Sequence, residues 1–290
     1  MSFPIIVMTR NEADKLERCI YSILNTVLID VEIYIVDNAS SDPKHLLILS
    51  KLKLLDGVKV IHNSTNRWVL GLNKTITEVK NTHGGEYFFL TDGDIDFTEC
   101  MPTQCWLTFL ITKMNANKFI GKLGFSLSWH YLEKYEELSD ILLQERNLYS
   151  ETKKIDELYI SQIDTTATIF RWDWSVEGSS LLYPLHIKYL RPELYSCRTS
   201  RDICVEHLGW EDYQFRAVEQ EYLDEKVMCF TVVGGHIKQN ILNQCSKRVK
   251  LFNYLLAIPF KRIWAIRRYW FVLMYCFRKS RKGFDGQISK

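Results

Sequence analysis

The stretch Glu86–Phe97, EYFFLTDGDIDF, decides the reading of this chain. An apolar run of Tyr87, Phe88, Phe89 and Leu90 ends in three aspartates, Asp92, Asp94 and Asp96. A short apolar run of this kind reads as a buried strand. Carboxylates at the carboxyl end of such a strand stand where open α/β sheets bind ligands. Asp92 and Asp94 are two residues apart on an extended strand end, so their side chains can share one side. Two carboxylates held close do not both ionise readily without a cation. Hard oxygen ligands suit Mg²⁺ or Mn²⁺, ions that often bridge to phosphate. The reading is a metal–diphosphate site. An acidic loop taken alone is more often simply solvated, and the residues upstream tip the balance.

Upstream, strand and helix signals alternate. Phe3–Met8 is a short β run, and Asn11 is positioned to cap a helix whose apolar residues Leu16, Ile20, Ile23 and Leu24 have helical spacing. Val31–Val36 is the next strand and ends in Asp37. Leu46–Leu55 reads as helix, Val58–Ile61 as strand, Val69–Val79 as helix and Tyr87–Leu90 as the fourth strand. This order implies a mostly parallel sheet covered by helices. No GxGxxG follows the first strand, which disfavours a standard dinucleotide fold. Downstream, a helix is expected from Pro102 to about Asn115 and a strand over Phe119–Leu127. An amphipathic helix is expected over Tyr131–Asn147 and a strand over Ile163–Phe170. The segment 173–206 has no regular pattern, as a substrate-covering region would.

Several of these segments together resemble a family. PIIVMTRNE at 4–12, IVDNASSD at 35–42 and the aspartates at 92–94 resemble family 2 glycosyltransferases of the GT-A fold. LTDGDID, KLGFSL at 122–127, IDTTATIFR at 163–171 and HLGW at 207–210 resemble a bacterial subgroup that builds surface polysaccharide or lipooligosaccharide. The resemblance covers roughly residues 3–215. It implies a Rossmann-like sheet and sugar transfer from a nucleotide sugar. It also implies site roles. Thr9, Arg10, Asn11 and Glu12 would receive the nucleotide at the end of the first strand. Asp37 would accept a hydrogen bond from the base, which suits a uracil imide and favours a UDP-sugar. Asn66, Arg67, Gly71 and Asn73 resemble the segment that closes over the nucleotide, with Arg67 or Lys74 available to neutralise phosphate. Asp94 would ligate Mn²⁺ or Mg²⁺ directly, Asp92 would touch ribose or metal through water, and Asp96 would face solvent. His207 resembles the family's downstream metal-binding histidine.

Inverting transfer needs a base for the acceptor hydroxyl proton. Glu211 and Asp212, in GWEDYQF, resemble the acidic pair that ends the catalytic core of many family members. The subgroup also carries acids just after its GFSL strand, where this chain has Ser128, Trp129 and His130 instead. His130 could substitute as base, and Asp164 is a further candidate. Two other readings compete: a degenerate membrane-bound scaffold, and a nucleotidyltransferase. The latter would more typically show a Gly-rich phosphate loop after the first strand, and TRNEADK has none.

Composition sets the remaining bounds. The chain has 290 residues, 47% hydrophobic and 25% charged, enough for one large α/β domain and an appendage. The net charge of +2 hides an asymmetry. Lys247–Lys290 holds 12 of the 37 basic residues and one of the 35 acids, Asp285. An acidic body thus carries a basic tail, which points to an anionic partner. The expected division is a GT-A domain over 1–245 and a basic, aromatic, amphipathic helical tail over 246–290. The tail's longest uncharged runs, Leu251–Phe260 and Tyr269–Phe277, fall short of the roughly 20 residues that cross a bilayer as a helix. Interleaved Trp, Tyr, Lys and Arg suit the membrane interface, where anionic headgroups attract each basic residue by about 1 kcal/mol. Nucleic acid is disfavoured as a partner because no nucleic-acid motif accompanies the charge. A lipid-linked or glycan acceptor would explain the membrane tail. The N-terminus has no signal-peptide pattern, so the expected location is cytoplasmic, peripheral on the inner face of the membrane. Eight cysteines form no CxxC pair and read mostly as buried thiols. Cys197, Cys204 and His207 fit no standard zinc spacing.

Overall fold

The computed structural model describes residues 2–101, 103–117, 120–172, 195–215 and 220–279. Up to Asp92 the chain alternates strand and helix: β1 (Phe3–Thr9), α1 (Ala13–Thr26), β2 (Val31–Asp37), α2 (Pro43–Leu52), β3 (Val58–His62), α3 (Asn73–Thr82) and β4 (Tyr87–Asp92). The four strands run parallel in the order β3-β2-β1-β4. Beyond them come β5 (Ile95–Asp96), α4 (Trp106–Ala116), β6 (Ile120–Gly124), β7 (Ser126–Leu127) and α5 (Ser139–Arg146). These are followed by β8 (Lys154–Ile155), β9 (Leu158–Ile160), β10 (Thr168–Arg171), β11 (Tyr195–Arg198) and β12 (Cys204–His207). The main sheet continues from β4 as β10-β6-β11-β9-β8. Strand β10 is antiparallel to both neighbours, while β11 runs parallel to β6. The result is a mixed, mostly parallel sheet flanked by helices, the α/β architecture expected.

Alternation along buried strands sends successive side chains to opposite faces. Ile5, Val7, Ile33, Ile35 and Phe89 meet Leu16, Ile20 and Ile23 of α1, Ile48 and Leu49 of α2, and Trp106 and Leu110 of α4. Ile6, Tyr34, Val36, Phe88 and Leu90 turn the other way and pack with Ile76 and Val79 of α3. Phe97, the last residue of the opening motif, is fully buried and stacks on Trp106 with ring centroids 4.7 Å apart. The aspartate turn is thereby pinned to the core at both ends.

Several expected elements are divided. The Val69–Val79 helix is a 3-10 turn (Trp68–Leu72) followed by α3. Of the strand expected over Phe119–Leu127, Phe119 lies outside the described residues and the rest is two strands in two sheets, because Phe125 leaves β6 to bond Ala167. The Tyr131–Asn147 helix is two 3-10 turns and α5, interrupted at Tyr135, which is extended (φ −127°, ψ 118°). The strand of 163–170 is confined to β10, since Ala167 takes a left-handed φ of 48°. The first helix after the aspartates starts at Trp106, and Pro102 lies outside the described residues. The irregular segment of 173–206 contains β11 and β12, and its first part, 173–194, lies outside the described residues.

Four helices follow among the described residues: α6 (Trp210–Phe215), α7 (Gln220–Val232), α8 (Gln239–Gln244) and α9 (Lys247–Lys279). α9 packs on α7, with Trp264 Nε1 donating to the Val232 carbonyl at 3.0 Å and Asn253 Nδ2 to Thr231 Oγ1 at 2.8 Å. Among the described residues, no helix is long and apolar enough to cross a membrane.

Candidate active site

The connections place β1 at a switch point. The chain leaves β1 toward β2 and β3, then returns to its other side as β4. Ligand crevices of open α/β sheets form at the carboxyl ends of strands at such a point. Residues 9–12, leaving β1, and 92–94, leaving β4, therefore face each other across it.

Thr9 is buried and donates from Oγ1 to Glu12 Oε2 at 3.2 Å. Asn11 adopts φ 53°, a left-handed conformation that Asn tolerates better than most residues. Its side chain does not cap α1, contrary to expectation. Oδ1 instead accepts from the Ser41 and Asp42 amides at 2.9 and 3.0 Å, tying the end of β1 to the loop after β2. The position before α1 is Glu12, which makes no side-chain cap bond. Its carboxylate lies against the aspartate turn: a Cβ on Gly93 would sit 3.1 Å from Glu12 Oε2.

Glu12, Asp92 and Asp94 thus form one acidic cluster. Burial, then the charges of Asp94 and Asp92, hold the Glu12 carboxyl well above the usual range. Burial, then Asp94, push Asp92 up to about 7, with a smaller contribution from Asp164. A hydrogen bond from Thr166 Oγ1 to Asp92 Oδ2 opposes that rise and fixes the carboxylate. Such a concentration of reluctant charge marks a candidate functional site.

Asp94 and His207 meet through a second, small sheet of order β5-β12-β7. Its register pairs His207 with Ile95, and the Leu208 amide donates to the Asp94 carbonyl at 2.8 Å. Asp94 Oδ2 lies 3.7 Å from His207 Nδ1, too long for a hydrogen bond. Asp94 Oδ1 and His207 Nδ1 are buried and lack a hydrogen-bond partner among the described residues. Buried polar atoms are rarely left so. The imidazole is held flat against Trp210, rings 5.2 Å apart and 9° from parallel. Gly209 makes the approach possible, since a Cβ there would lie 2.0 Å from Asp94 Oδ2. A carboxylate and an imidazole held this close, each with a buried atom lacking a partner among the described residues, fit a divalent cation. They supply two ligands, and a diphosphate would supply others. Among the described residues no group of three or more His, Cys, Asp or Glu is placed to hold a metal alone.

The other expected residues are distributed unevenly. Asp96 does not face solvent: it is buried, ion-paired with Arg18 and bonded to Thr98. Asp37 is buried at the end of β2, accepting from the Ser40 amide and hydroxyl and lying 3.1 Å from His62 Nδ1. Arg10 Nη1 and Asn66 Nδ2 both reach Glu225 of α7. Arg67 is exposed and Asn73 opens α3. Asp212 pairs with Lys15 at 2.9 Å, while Glu211 is exposed within electrostatic reach of Tyr131. His130 is exposed, and none of the described contacts joins it to the Asp94–His207 pair. The cysteines at 19, 100, 105, 197, 229 and 245 are buried free thiols.

Thr166, Gly209 and Glu225 were not anticipated as site residues. Gly209 had a visible signal, its place beside His207 in HLGW. Thr166 and Glu225 had none, since their roles depend on contacts across 74 and at least 159 residues.

Residues 5–125 match the family model described as "Glycosyl transferase family 2". The match runs from within β1 to the residue before β7 and contains residues 9–12, Asp37, Asn66, Asp92 and Asp94. His207 and the acidic pair at 211–212 lie beyond it. No curated protein matches the chain. Among solved structures, S. aureus TarS 1–349 in complex with UDP-GlcNAc is 12% identical, with 84% of this chain and 70% of that one covered and a TM-score of 0.43. The mannosyltransferase PcManGT from Pyrobaculum calidifontis, in complex with GDP-Man and Mn²⁺, is 12% identical over 99% of this chain and 82% of its own, with a TM-score of 0.47. GalNAc-T7 with UDP, GalNAc and Mn²⁺ is 15% identical over 80% of this chain and 48% of its own, with a TM-score of 0.48.

Proposed function

We propose that this protein is a metal-dependent, inverting glycosyltransferase that moves a sugar from a nucleotide-sugar donor, a UDP-sugar by preference, to a glycan or lipid-linked acceptor. The observation that carries the reading is the approach of the Asp94 and His207 side chains, 3.7 Å apart at Oδ2 and Nδ1, with Asp94 Oδ1 and His207 Nδ1 buried and lacking a hydrogen-bond partner among the described residues, beside the raised carboxyls of Asp92 and Glu12. The family match over 5–125 supports the same class of reaction.

In this reading Asp94 and His207 hold the cation, which when bound neutralises charge on the departing diphosphate as a Lewis acid. Asp92, fixed by Thr166, completes the acidic floor of the crevice. Arg10, Asn66 and the residues leaving β1 receive the nucleotide, and Asp37 faces the base. The bond from the anomeric carbon to the diphosphate oxygen breaks, and its electron pair leaves with the nucleoside diphosphate. An acceptor oxygen bonds to that carbon and its proton passes to a carboxylate. Glu211 and Asp212 are the candidates, and they differ in engagement: Asp212 is tied to Lys15, while Glu211 is exposed.

The tail fits an anionic membrane surface, where a lipid-linked acceptor for surface polysaccharide would be met. Leu251, Tyr254, Leu255, Ile258, Ile266, Tyr269, Trp270 and Leu273 are all more than half exposed. Their spacing of three, four and seven follows one face of α9.

A thermal-shift panel of UDP, GDP, CMP and dTDP, each with and without Mn²⁺, tests the reading. A ligand that binds only the folded chain raises its melting temperature by mass action. A Mn²⁺-dependent shift with one nucleotide is expected. No shift with any of them removes the donor site and leaves a scaffold.

A further inference from the structure

Helix α7 delivers a carboxylate to the mouth of the donor crevice. Glu225 Oε2 accepts from Arg10 Nη1 at 3.1 Å and from Asn66 Nδ2 at 2.6 Å. One turn earlier, the Tyr222 ring lies 5.0 Å from that of Trp68, and Lys226 Nζ stands 5.6 Å from the same indole. α7 therefore rests on the 66–68 segment by a carboxylate, a ring and a cation at once.

The surface it covers is a strained one. Trp68 takes φ 50°, a left-handed conformation costly for a bulky side chain. Two side chains hold it there: Asn66 Oδ1 accepts from the Trp68 amide at 3.1 Å, and Asn38 Nδ2 donates to its carbonyl at 3.2 Å. Strain maintained in this way clusters at ligand clamps. Arg10 Nε is buried with no hydrogen-bond partner among the described residues, so part of its guanidinium fork is unspent.

We propose that Glu225 is an internal ligand of the donor site, holding Arg10 and Asn66 with α7 closed on the crevice until an incoming nucleoside diphosphate displaces it. The inference rests on the glycosyltransferase reading of that crevice. A carboxylate and a phosphate oxygen are interchangeable acceptors for a guanidinium fork. They do not share the same N–H groups, and each repels the other's charge. A chain held closed binds its ligand more weakly, by the fraction of time the competent state is populated. The same helix carries the tail: Asp224 Oδ1 accepts from the Ser246 amide at 2.8 Å, and Thr231 and Val232 accept from Asn253 and Trp264 of α9. Displacing α7 therefore shifts the support of α9, which ties donor binding to the tail.

The test uses the full chain and titration calorimetry with UDP, GDP and CMP in Mn²⁺, comparing wild type with Glu225→Ala and the near-isosteric Glu225→Gln. Hydrogen exchange of 220–232 is followed with and without nucleotide. The proposal expects Kd for the bound nucleotide to fall about fivefold in both variants. It also expects nucleotide to speed exchange of α7 in wild type, and the variants to exchange fast already. Wild type alone decides if a variant fails to fold, because nucleotide that protects α7 overturns the proposal. So does a folded variant that binds no tighter than wild type, and either result leaves the donor reading standing. If no protein binds any nucleotide, the donor reading falls and the proposal with it.

Discussion

The sheet and the tail place their apolar residues in opposite ways. Ile5, Ile6, Val7, Phe88 and Phe89 have no exposed surface, whereas Tyr254, Tyr269 and Ile266 of α9 are 81%, 72% and 70% exposed. Both segments are rich in large side chains, and the difference lies in period and charge. Strand residues alternate between two covered faces. α9 has helical spacing on a segment studded with Lys and Arg, and among its described residues a stripe that includes Val249 and Trp264 is covered. The sheet builds a rigid frame for a charged crevice. The tail presents an exposed apolar stripe, which the proposed membrane surface would cover.

The comparison breaks first at Trp106. It is buried, stacks on Phe97 and donates from Nε1 to Thr26 Oγ1 at 2.8 Å. Trp106→Ala is expected to cost about 3–5 kcal/mol by cavity formation and lost burial. Chemical denaturation measures it, and a loss under 1 kcal/mol would show that the aromatic cluster does not anchor the aspartate turn.

Asp94→Ala removes charge rather than packing. Turnover should fall at least about 10³-fold, the several kcal/mol of transition-state stabilisation that a bound cation supplies. The melting temperature should be unchanged or raised, since the variant relieves Glu12 and Asp92 of a like charge. Initial rates of nucleotide release, read beside the melt, check both, and retained turnover sinks the metal assignment. Gly209→Ala probes the same pair from the other side. Its methyl group would sit 2.0 Å from Asp94 Oδ2, so the Asp94–His207 approach must open. A fall of about 10²-fold is expected, with weaker Mn²⁺ binding by calorimetry.

Asp92 separates frame from crevice by pH. Its folded-state pKa of about 7 exceeds the ordinary 3.8. Between those values the folded chain keeps a proton that the unfolded chain has lost, so stability falls as pH rises through that window. The melting temperature without metal should drop by on the order of 5 °C from pH 5 to 8, and Asp92→Asn should flatten that slope. Mn²⁺ affinity should move the opposite way and strengthen toward pH 8, because the ion competes with the proton. A wild-type melting curve flat across this range would mean that Asp92 is already ionised without metal.

Much of the frame was legible because its signals are local. Phe3–Met8, Val31–Val36 and Tyr87–Leu90 are apolar runs closed by polar residues, and each is a strand of the parallel sheet. The aspartates followed from the end of the last of these. The small sheet was not legible, because β5 and β7 are two residues each and pair with β12 from more than 75 residues away. His207 could be assigned through the resemblance alone, and no periodicity foretells its approach to Asp94. Tyr135 interrupts an otherwise helical pattern with an extended backbone. Asn11 looked like a cap by type and position, yet its oxygen found the amides of the neighbouring loop. Glu225 carries no motif of its own, and its meaning appears only once α7 is laid against Arg10.

The smallest expected effect is the sharpest test of the contrast. Replacing Tyr254, Tyr269 and Trp270 with Ser together removes large apolar area from α9, yet each of the three residues is more than half exposed among the described residues. Exposed substitutions away from caps and networks usually change stability by no more than about 0.5 kcal/mol each. The same change made to three rings of the sheet would unfold the chain. Binding to vesicles containing phosphatidylserine should weaken about tenfold or more, and the remainder should vanish in high salt, where the attraction of Lys261 and Arg262 is screened. A loss of several kcal/mol in stability would mean that the tail packs on a surface of this chain. Unchanged stability with unchanged vesicle binding would mean that the exposed stripe meets something other than lipid.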